Sequence, residues 1–103
     1  MKLYLAGPMT GYEALNFPAF HAEAMRLRAL GYEIVNPAEL NADTNGDWLA
    51  CMKVDIHEVI ECAGVAVLDG WEKSEGATLE HDIAFRLGLP IFRAKSLRAK
   101  VPK

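Results

Sequence analysis

Two carboxylates stand out because helical periodicity places each of them on the buried face of its helix. In "GWEKSEGATLEHDIAFRLG" (70–88) an apolar stripe at helical spacing includes a glutamate, and its members are Gly76, Glu80, Ile83, Ala84 and Leu87. Asp55 interrupts the equivalent stripe of the preceding helix, which contains Trp48, Cys51, Met52, Ile56 and Val59. Burying a lone ionised carboxylate costs on the order of several kcal/mol. Each acid is therefore predicted to be paired, protonated or used in chemistry.

Two inward-facing acids on neighbouring helices suggest a shared polar site. Glu80 and Asp55 would suit glycosidic chemistry, in which one carboxylate attacks the anomeric carbon and the other positions substrate or handles protons. They would also suit a divalent cation, although the chain lacks the dense cluster of acids that a dedicated metal cage needs. The structural alternative is a core glutamate satisfied by an arginine or a backbone amide.

Two further segments could hold an anionic or planar ligand. Ser74, Glu75 and Gly76 open a helix whose backbone amides and hydroxyl form an anion site, although simple capping by Ser74 is the alternative. The loop "GPMTG" can bring its amides close to a ligand because glycine tolerates tight turns. Tyr4 and Trp71 could stack on a base or pack in the core. The three histidines are each predicted to lie on a polar helix face, and we assign them no role.

The composition is that of an ordinary globular chain. Its 103 residues suit one domain, and 51% are hydrophobic while 24% are charged. No apolar run approaches the roughly 20 residues of a membrane span, so we expect no membrane partner and a cytoplasmic location. Cys51 and Cys62 share a predicted helix without a metal-binding motif, which indicates two reduced, packed thiols. No metal and no cofactor is expected.

Charge is unevenly distributed along the chain. Residues 1–92 carry six basic and fourteen acidic side chains, a net charge of −8. The segment 93–103 contains no acidic residue and five basic ones, which are Arg93, Lys95, Arg98, Lys100 and Lys103. The negative net charge of residues 1–92 argues against broad nucleic-acid binding, because nucleic acids are themselves negatively charged. We therefore divide the chain into a domain over 1–92 and a basic C-terminal tail over 93–103, which is expected to be solvated.

Apolar strand-like segments alternate with amphipathic helical segments. The strands are "KLYLAG", "YEIVNP", "VAVLDG" and "LPIFR", and the helices are "FPAFHAEAMRLRALG", "DWLACMKVDIHEVIECAG" and the one capped by Ser74. The first helix should bury Phe17, Phe20, Ala24, Met25 and Leu27. An acidic, Asn-rich loop is expected between Pro37 and Asp47. Such alternation predicts an α/β, three-layer sandwich with a parallel, four- to five-stranded, flavodoxin/Rossmann-like sheet. Ligands of such folds bind beyond the carboxyl ends of the strands, here Gly7–Gly11, Asn36-Pro37 and Asp69–Ser74.

Two motifs carry a resemblance to a known family. With "YLAGPMTG" at the first strand and "GWEKSEGATLEHDIAFRLGLPI" at the third helix, the chain resembles the nucleoside 2-deoxyribosyltransferase-like superfamily. It is most similar to short, poorly characterised members from bacteria, phages and prophages. The match covers most of residues 3–92, and the Gly-x-x-x-Glu element after a Ser or Asp is its most specific part.

The resemblance implies roles for individual residues. Glu80 corresponds to the superfamily's nucleophile, which attacks C1′ of a deoxyribosyl group and releases the base. Asp55 matches the aspartate that helps hold sugar or base, and Tyr4 matches the tyrosine of the first strand. The transferases carry aspartate six residues before the nucleophile, whereas Ser74 matches the deoxynucleoside-monophosphate N-glycosidases, in which serine faces the 5′-phosphate. The C-terminal part with which the transferases complete a neighbour's site is replaced here by the basic tail.

These observations together predict cleavage, by hydrolysis or transfer, of the N-glycosidic bond of a deoxynucleoside 5′-monophosphate or nucleoside. Glu80 and Asp55 are the predicted catalytic residues. The predicted substrate-binding residues are Tyr4, Gly7, Pro8, Met9, Gly11, Asp69, Trp71, Ser74 and Gly76. A homodimer or higher homo-oligomer is expected. The alternatives are a module that binds or senses a nucleotide without turning it over, and an interaction protein with a vestigial site.

Overall fold

The computed structural model describes residues 1–40 and 47–99. Its four strands are β1 (Lys2–Ala6), β2 (Glu33–Val35), β3 (Gly64–Val67) and β4 (Ile91–Arg93). Its four α-helices are α1 (Phe17–Ala29), α2 (Pro37–Leu40), α3 (Trp48–Glu61) and α4 (Glu75–Arg86). Three short 3₁₀ turns cover Glu13–Asn16, Trp71–Lys73 and Ala94–Ser96.

The strands form one parallel sheet in the order β2-β1-β3-β4. In the register of the central pair, Tyr4 lies beside Val65 and Ala6 beside Val67. The outer strands are parallel to their neighbours as well. The predicted parallel sheet is confirmed, with four strands in the described part of the chain.

Each face of the sheet is covered by helices, so the fold is a three-layer α/β sandwich. Side chains alternate between the two faces of a strand, and on β1 Leu3 and Leu5 enter the core beneath α1 and α2. Tyr4 and Ala6 point the other way, into the core beneath α3 and α4. Because Tyr4 faces α3 and α4, its side chain can meet residues of both helices.

Helix boundaries follow local capping chemistry. The side chain of Asp47 accepts a hydrogen bond from Ala50 N at the start of α3, and Ser74 Oγ accepts one from Ala77 N at the start of α4. Gly31 and Gly88 follow α1 and α4 with φ of 105° and 79°, values at which glycine is favoured. The predicted N-cap Ser74 is confirmed, and Asp47 caps α3 in the same way, since a cap depends on residues only three positions apart.

Three residues predicted to be buried are exposed. Met25 is 73% exposed because it points away from the α1 stripe of Phe20, Ala24 and Leu27. Leu87 is 58% exposed because α4 ends at Arg86 and the chain turns there, so helical spacing no longer applies to it. Trp48 is the first residue of α3 and is 42% exposed, because the start of the helix lies at the edge of a cavity.

The loop expected between Pro37 and Asp47 begins with a short helix instead. Asn36 Oδ1 accepts a hydrogen bond from Ala38 N, and this bond starts the single turn of α2. Residues 41–46, which carry most of the predicted acidic, Asn-rich loop, lie outside the described residues.

The first part of the predicted basic tail is packed on the domain rather than solvated. Arg93 closes β4, Ala94 is fully buried, and Leu97 packs against the same core as α1. The Arg26 guanidinium donates hydrogen bonds to the carbonyl oxygens of Ala94 at 2.8 Å and Leu97 at 3.4 Å. The chain therefore remains attached to the domain up to this point, and Lys100 and Lys103 lie outside the described residues.

Cys51 and Cys62 are both free thiols, as predicted. Burial raises the pKa of the Cys62 thiol to about 11, which favours its neutral form. In the described part of the chain, none of the helices has the length and the apolar character that crossing a bilayer would need.

Candidate active site at the carboxyl ends of β1 and β3

A cavity of about 590 Å³ opens beyond the carboxyl ends of the two central strands. From β1 the chain runs to β2 on one side of the sheet, whereas from β3 it runs to β4 on the other side. Ligands bind at such a switch point because the two departing loops leave a crevice between them. The volume lies within the range of about 300–1,000 Å³ that is typical of small-molecule sites.

The innermost polar contact of this region joins β1 to α4. Tyr4 Oη donates a hydrogen bond of 2.7 Å to Glu80 Oε2, and both side chains are buried, with exposed fractions of 0% and 4%. Glu80 lines the cavity, so its carboxylate is within reach of a ligand there. The prediction that Glu80 faces inward is confirmed, and its partner is a strand tyrosine rather than an arginine.

Asp55 of α3 completes a cluster of three ionisable groups. It is 5% exposed, lines the same cavity, and interacts with both Tyr4 and Glu80. The two acids that sequence spacing placed on separate stripes therefore lie side by side. Residues 4, 55 and 80 come from three different elements, and the packing of α3 and α4 over one face of β1 brings them together.

Burial and mutual repulsion control ionisation in this cluster. Burial raises the pKa of Glu80 well above its usual 4.5, the hydrogen bond from Tyr4 opposes that rise, and nearby Asp55 adds to it. The pKa of Tyr4 is also raised, first by burial and then by the two carboxyl groups, so its hydroxyl stays protonated and remains a donor. A carboxylate held with so little solvation interacts more strongly with a cationic, oxocarbenium-like group than a solvated one would.

The start of α4 supplies groups suited to an anion. The backbone N–H groups of the first turn of a helix have no carbonyl partner within the helix. One of them, the N–H of Ala77, donates a hydrogen bond of 3.1 Å to Ser74 Oγ. The Ser74 hydroxyl proton remains available for donation, and Lys73 adds an ammonium group to the same wall of the cavity. Hydroxyl, ammonium and helix dipole all favour a negative charge here.

Two glycines make close contacts beside this cavity. A Cβ at Gly7 would lie 2.9 Å from Cβ of Leu68, so a side chain there would push the loops after β1 and β3 apart. A Cβ at Gly76 would lie 3.1 Å from Met52 Sδ, so the flexible Met52 side chain would have to shift by a few tenths of an ångström. Pro8 and Met9 line the cavity beside Gly7, as the sequence predicted for the first loop.

Four of the predicted substrate-binding residues do not line this cavity. Tyr4 lies beneath it and contacts the lining residues Glu80 and Asp55. Gly11 is exposed, with φ of 87°, at the outer end of the first loop. Asp69 and Trp71 line a separate polar pocket of about 220 Å³ that also contains Arg93. The 3₁₀ turn Trp71–Lys73 turns the indole ring away, so that it stacks on His81 with ring centroids 4.4 Å apart.

Several residues that line the cavity were not among the individually predicted site residues, although some of them lie in segments where a ligand was expected. They are Thr10, Tyr12, Leu15, Phe20, Pro37, Trp48, Cys51, Met52, Lys73, Glu75 and Ala77. Lys73 could have been found, because it directly precedes the helix-capping Ser74. Trp48 was assigned to the core, since its place in the helical stripe gives no sign that the stripe ends at a cavity.

The described residues 1–40 and 47–99 contain no group of three or more His, Cys, Asp or Glu side chains that could hold a metal ion. Asp55 and Glu80 form a pair with Tyr4 as their neighbour.

Comparisons with known proteins add a family but no activity. A family described as a domain of unknown function (DUF4406) matches residues 1–93. No curated protein matches the chain. The match covers β1 to β4 and thus every residue of the cavity.

Proposed function

The chain belongs to the DUF4406 family, and we propose that this member cleaves the N-glycosidic bond of a deoxynucleoside 5′-monophosphate or nucleoside, with Glu80 as the nucleophile. The observation that carries the proposal is the Tyr4–Glu80–Asp55 cluster at the switch-point cavity. The resemblance of "YLAGPMTG" and the Gly76-x-x-x-Glu80 element to the nucleoside 2-deoxyribosyltransferase-like superfamily supports it independently.

The reaction divides into two displacements at C1′ of the sugar. In the first, an oxygen of ionised Glu80 bonds to C1′ while the C1′–N bond breaks, and that bond's electron pair leaves with the base, which takes a proton from solvent. In the second, water bonds to C1′, loses a proton and releases Glu80. A second base in place of water would make the enzyme a transferase. Asp55 holds the sugar or base through both steps.

Tyr4 positions and tunes the nucleophile without touching substrate. Its hydroxyl hydrogen-bonds one carboxylate oxygen, Oε2, and so holds the orientation of the carboxylate. The same bond lowers the pKa of Glu80 against the effect of burial, which raises the fraction of ionised, reactive carboxylate.

The wall formed by Lys73 and Ser74 supports a 5′-phosphorylated substrate. A lysine ammonium, a serine hydroxyl and the first amides of α4 together offer the donors that a phosphate dianion accepts. A free nucleoside would leave them unused, so we expect the 5′-monophosphate to react faster. The two free thiols suit a reducing cytoplasm, where we place this activity.

We also propose that the protein is a homodimer or a higher homo-oligomer. Large apolar side chains are exposed on both helices that cover the site, among them Leu49 at 57%, Ile60 at 49% and Phe85 at 69%. Burial of such surface against a second copy would stabilise an assembly. Light scattering coupled to size-exclusion chromatography measures the mass directly, and a mass of 11.4 kDa at micromolar concentration would contradict this expectation.

The test of the activity is chromatography of a panel of deoxy- and ribonucleotides and nucleosides after incubation with wild-type protein and with Glu80→Gln. The matched control is Glu72→Gln, because Glu72 is an exposed glutamate that lines the separate pocket. Free base from the wild type and from Glu72→Gln, but not from Glu80→Gln, is the expected result.

Two other outcomes would point to the rival functions. Intact compounds that nevertheless raise the melting temperature would replace the enzyme by a module that binds a nucleotide without turnover. Intact compounds without any stabilisation would leave an interaction protein with a vestigial site. Equal base release by wild type and Glu80→Gln would exclude Glu80 as the nucleophile.

A further inference from the structure

Trp48 occupies an unusual position for a large aromatic residue. It is the first residue of α3 and lines the cavity, yet 42% of its surface remains exposed. Further along the helix, Met52, Asp55 and Val59 are buried. Exposed indole surface at the edge of a cavity is costly in water and suited to a planar ligand.

The position of the indole ring is defined by α4. A Cβ at Gly76 would lie 3.6 Å from Trp48 Nε1, so the indole lies against the first turn of α4. That turn follows Lys73 and Ser74 directly and leads to Glu80 one turn later. A ligand that touches Ser74 and Glu80 therefore has Trp48 beside it.

We propose that Trp48 stacks on the base of the substrate and is thereby a specificity-determining residue of this cavity. This inference deepens the proposed function and depends on it. The other tryptophan, Trp71, is unsuited to the role because its ring is stacked on His81 at an interplanar angle of 22° and lines the separate pocket.

Trp48 is not the only lining residue with half-exposed apolar surface. Tyr12 and Leu15 from the first loop also line the cavity, and they are 47% and 46% exposed. The cavity thus combines an anion-binding wall at Lys73, two buried carboxyl groups, and half-exposed apolar surface. Phosphate, sugar and base of one nucleotide provide the three matching chemistries in the same molecule.

The chain contains only two tryptophans, which makes intrinsic fluorescence a residue-specific test. In a Glu80→Gln background, which prevents turnover, Trp71→Phe leaves Trp48 as the sole indole and Trp48→Phe leaves Trp71. The probes are deoxyadenosine 5′-monophosphate, thymidine 5′-monophosphate and, without a base, 2-deoxyribose 5-phosphate. We expect the nucleotides to quench Trp48 saturably, the sugar phosphate to leave it unchanged, and Trp71 emission to stay constant.

Affinity measured by calorimetry gives a second readout. Loss of a stacked aromatic ring weakens binding of a base by about 5- to 150-fold, so Trp48→Ala should raise the Kd of the nucleotides by that factor. Trp48→Phe, which keeps an aromatic face, should recover most of the affinity. The Kd of 2-deoxyribose 5-phosphate should be the same in the protein with Trp48, in Trp48→Ala and in Trp48→Phe.

The failure of this inference can be told apart from failure of the proposed function. Calorimetric binding of a nucleotide without quenching of Trp48, or an unchanged Kd in Trp48→Ala, would overturn the role of Trp48 and leave the glycosidase intact. Quenching without base release by the wild type would keep Trp48 as a base-binding residue and overturn the glycosidase. Absence of nucleotide binding to every variant would overturn both.

Discussion

Tyr4 at the third position of β1 and Glu80 on the second turn of α4 are joined by a buried hydrogen bond of 2.7 Å across 76 residues of sequence. The bond links the central strand to the helix that carries the proposed nucleophile. Because Asp55 interacts with both groups, the ionisation of each depends on the other two. The predictions below begin from this cluster.

Tyr4→Phe should shift the acid limb of the pH profile of kcat/KM to higher pH. The Tyr4 hydroxyl lowers the pKa of Glu80, so its removal raises that pKa further, and the reaction needs ionised Glu80. A hydrogen bond to a charged group contributes about 1.5–3 kcal/mol, which corresponds to about one to two pH units. Base release measured from pH 4 to 9 checks the shift. Tyr32→Phe is the control, because the Tyr32 hydroxyl donates to the carbonyl oxygen of Arg98 outside the cavity. An acid limb that does not move in Tyr4→Phe would contradict the role of Tyr4.

Asp55→Asn should shift the same limb in the opposite direction. Asp55 raises the pKa of Glu80, so neutralising it lets Glu80 ionise at lower pH. The maximal rate should nevertheless fall, by roughly 100-fold, because a misplaced substrate reacts slowly. The measurement is the same pH series with Asp82→Asn, an exposed acid of α4, as the control. A shift in the same direction as that of Tyr4→Phe would show that Asp55 does not act through charge.

Glu80→Gln should stabilise the fold at neutral pH. Because the folded-state pKa of Glu80 is raised, the native state binds more protons than the unfolded state above about pH 4.5. Wild-type stability is therefore lost as the pH rises from 4.5 through the folded pKa, whereas a glutamine does not titrate. Melting temperatures measured from pH 4 to 8 should show Glu80→Gln gaining on wild type as the pH rises. A variant that is less stable at every pH would indicate a structural role for Glu80 instead.

Lys73→Met should reduce the preference for 5′-monophosphates over free nucleosides. The substitution keeps the length of the side chain and removes the charge that would face the phosphate, so kcat/KM for the nucleotide should fall about 10-fold. Values for the nucleoside should hardly change. Lys95→Met is the control, since Lys95 pairs with Asp69 outside the cavity. An equal fall for both substrates would remove Lys73 from phosphate binding.

Arg26→Ala should destabilise the fold by loosening the segment after β4. The substitution leaves the carbonyl oxygens of Ala94 and Leu97 without the guanidinium that now donates to them. Arg26 is about two-fifths exposed, so water can replace part of this interaction, and we expect a loss of about 1–2 kcal/mol. Urea unfolding measures the loss of stability. The control is Lys95→Ala, which breaks only an exposed ion pair with Asp69 and should change stability by less than about 0.5 kcal/mol. Equal stability of the two variants would contradict the prediction.

The parallel sheet, the caps and the inward direction of both acids could be predicted from the sequence because they depend on neighbours a few residues apart. The two-residue period of a β-strand puts Tyr4 and Leu3 on opposite faces of β1, and the caps Asp47 and Ser74 each bond an amide three residues on. Helical spacing likewise placed Asp55 and Glu80 inward.

Which loop side chains enter the cavity depended on contacts between distant segments. The sequence analysis assigned Trp48 to the core and Trp71 to the substrate site. In the structure Trp48 lines the cavity, whereas Trp71 lines the separate pocket. The 3₁₀ turn after β3 and the stacking on His81 turn Trp71 away, while the close approach of α3 to Gly76 leaves Trp48 at the cavity. Neither contact has a periodic signature in the sequence.

The sequence alone thus determined the architecture, the N-caps of α3 and α4 and the two inward-facing carboxylates, since each follows from local periodicity and hydrogen bonding. The tertiary structure alone decided that Tyr4 joins Asp55 and Glu80 in one buried cluster, and therefore how Glu80 ionises. A pKa depends on burial and on charges a few ångströms away, and those surroundings exist only once β1, α3 and α4 have packed together.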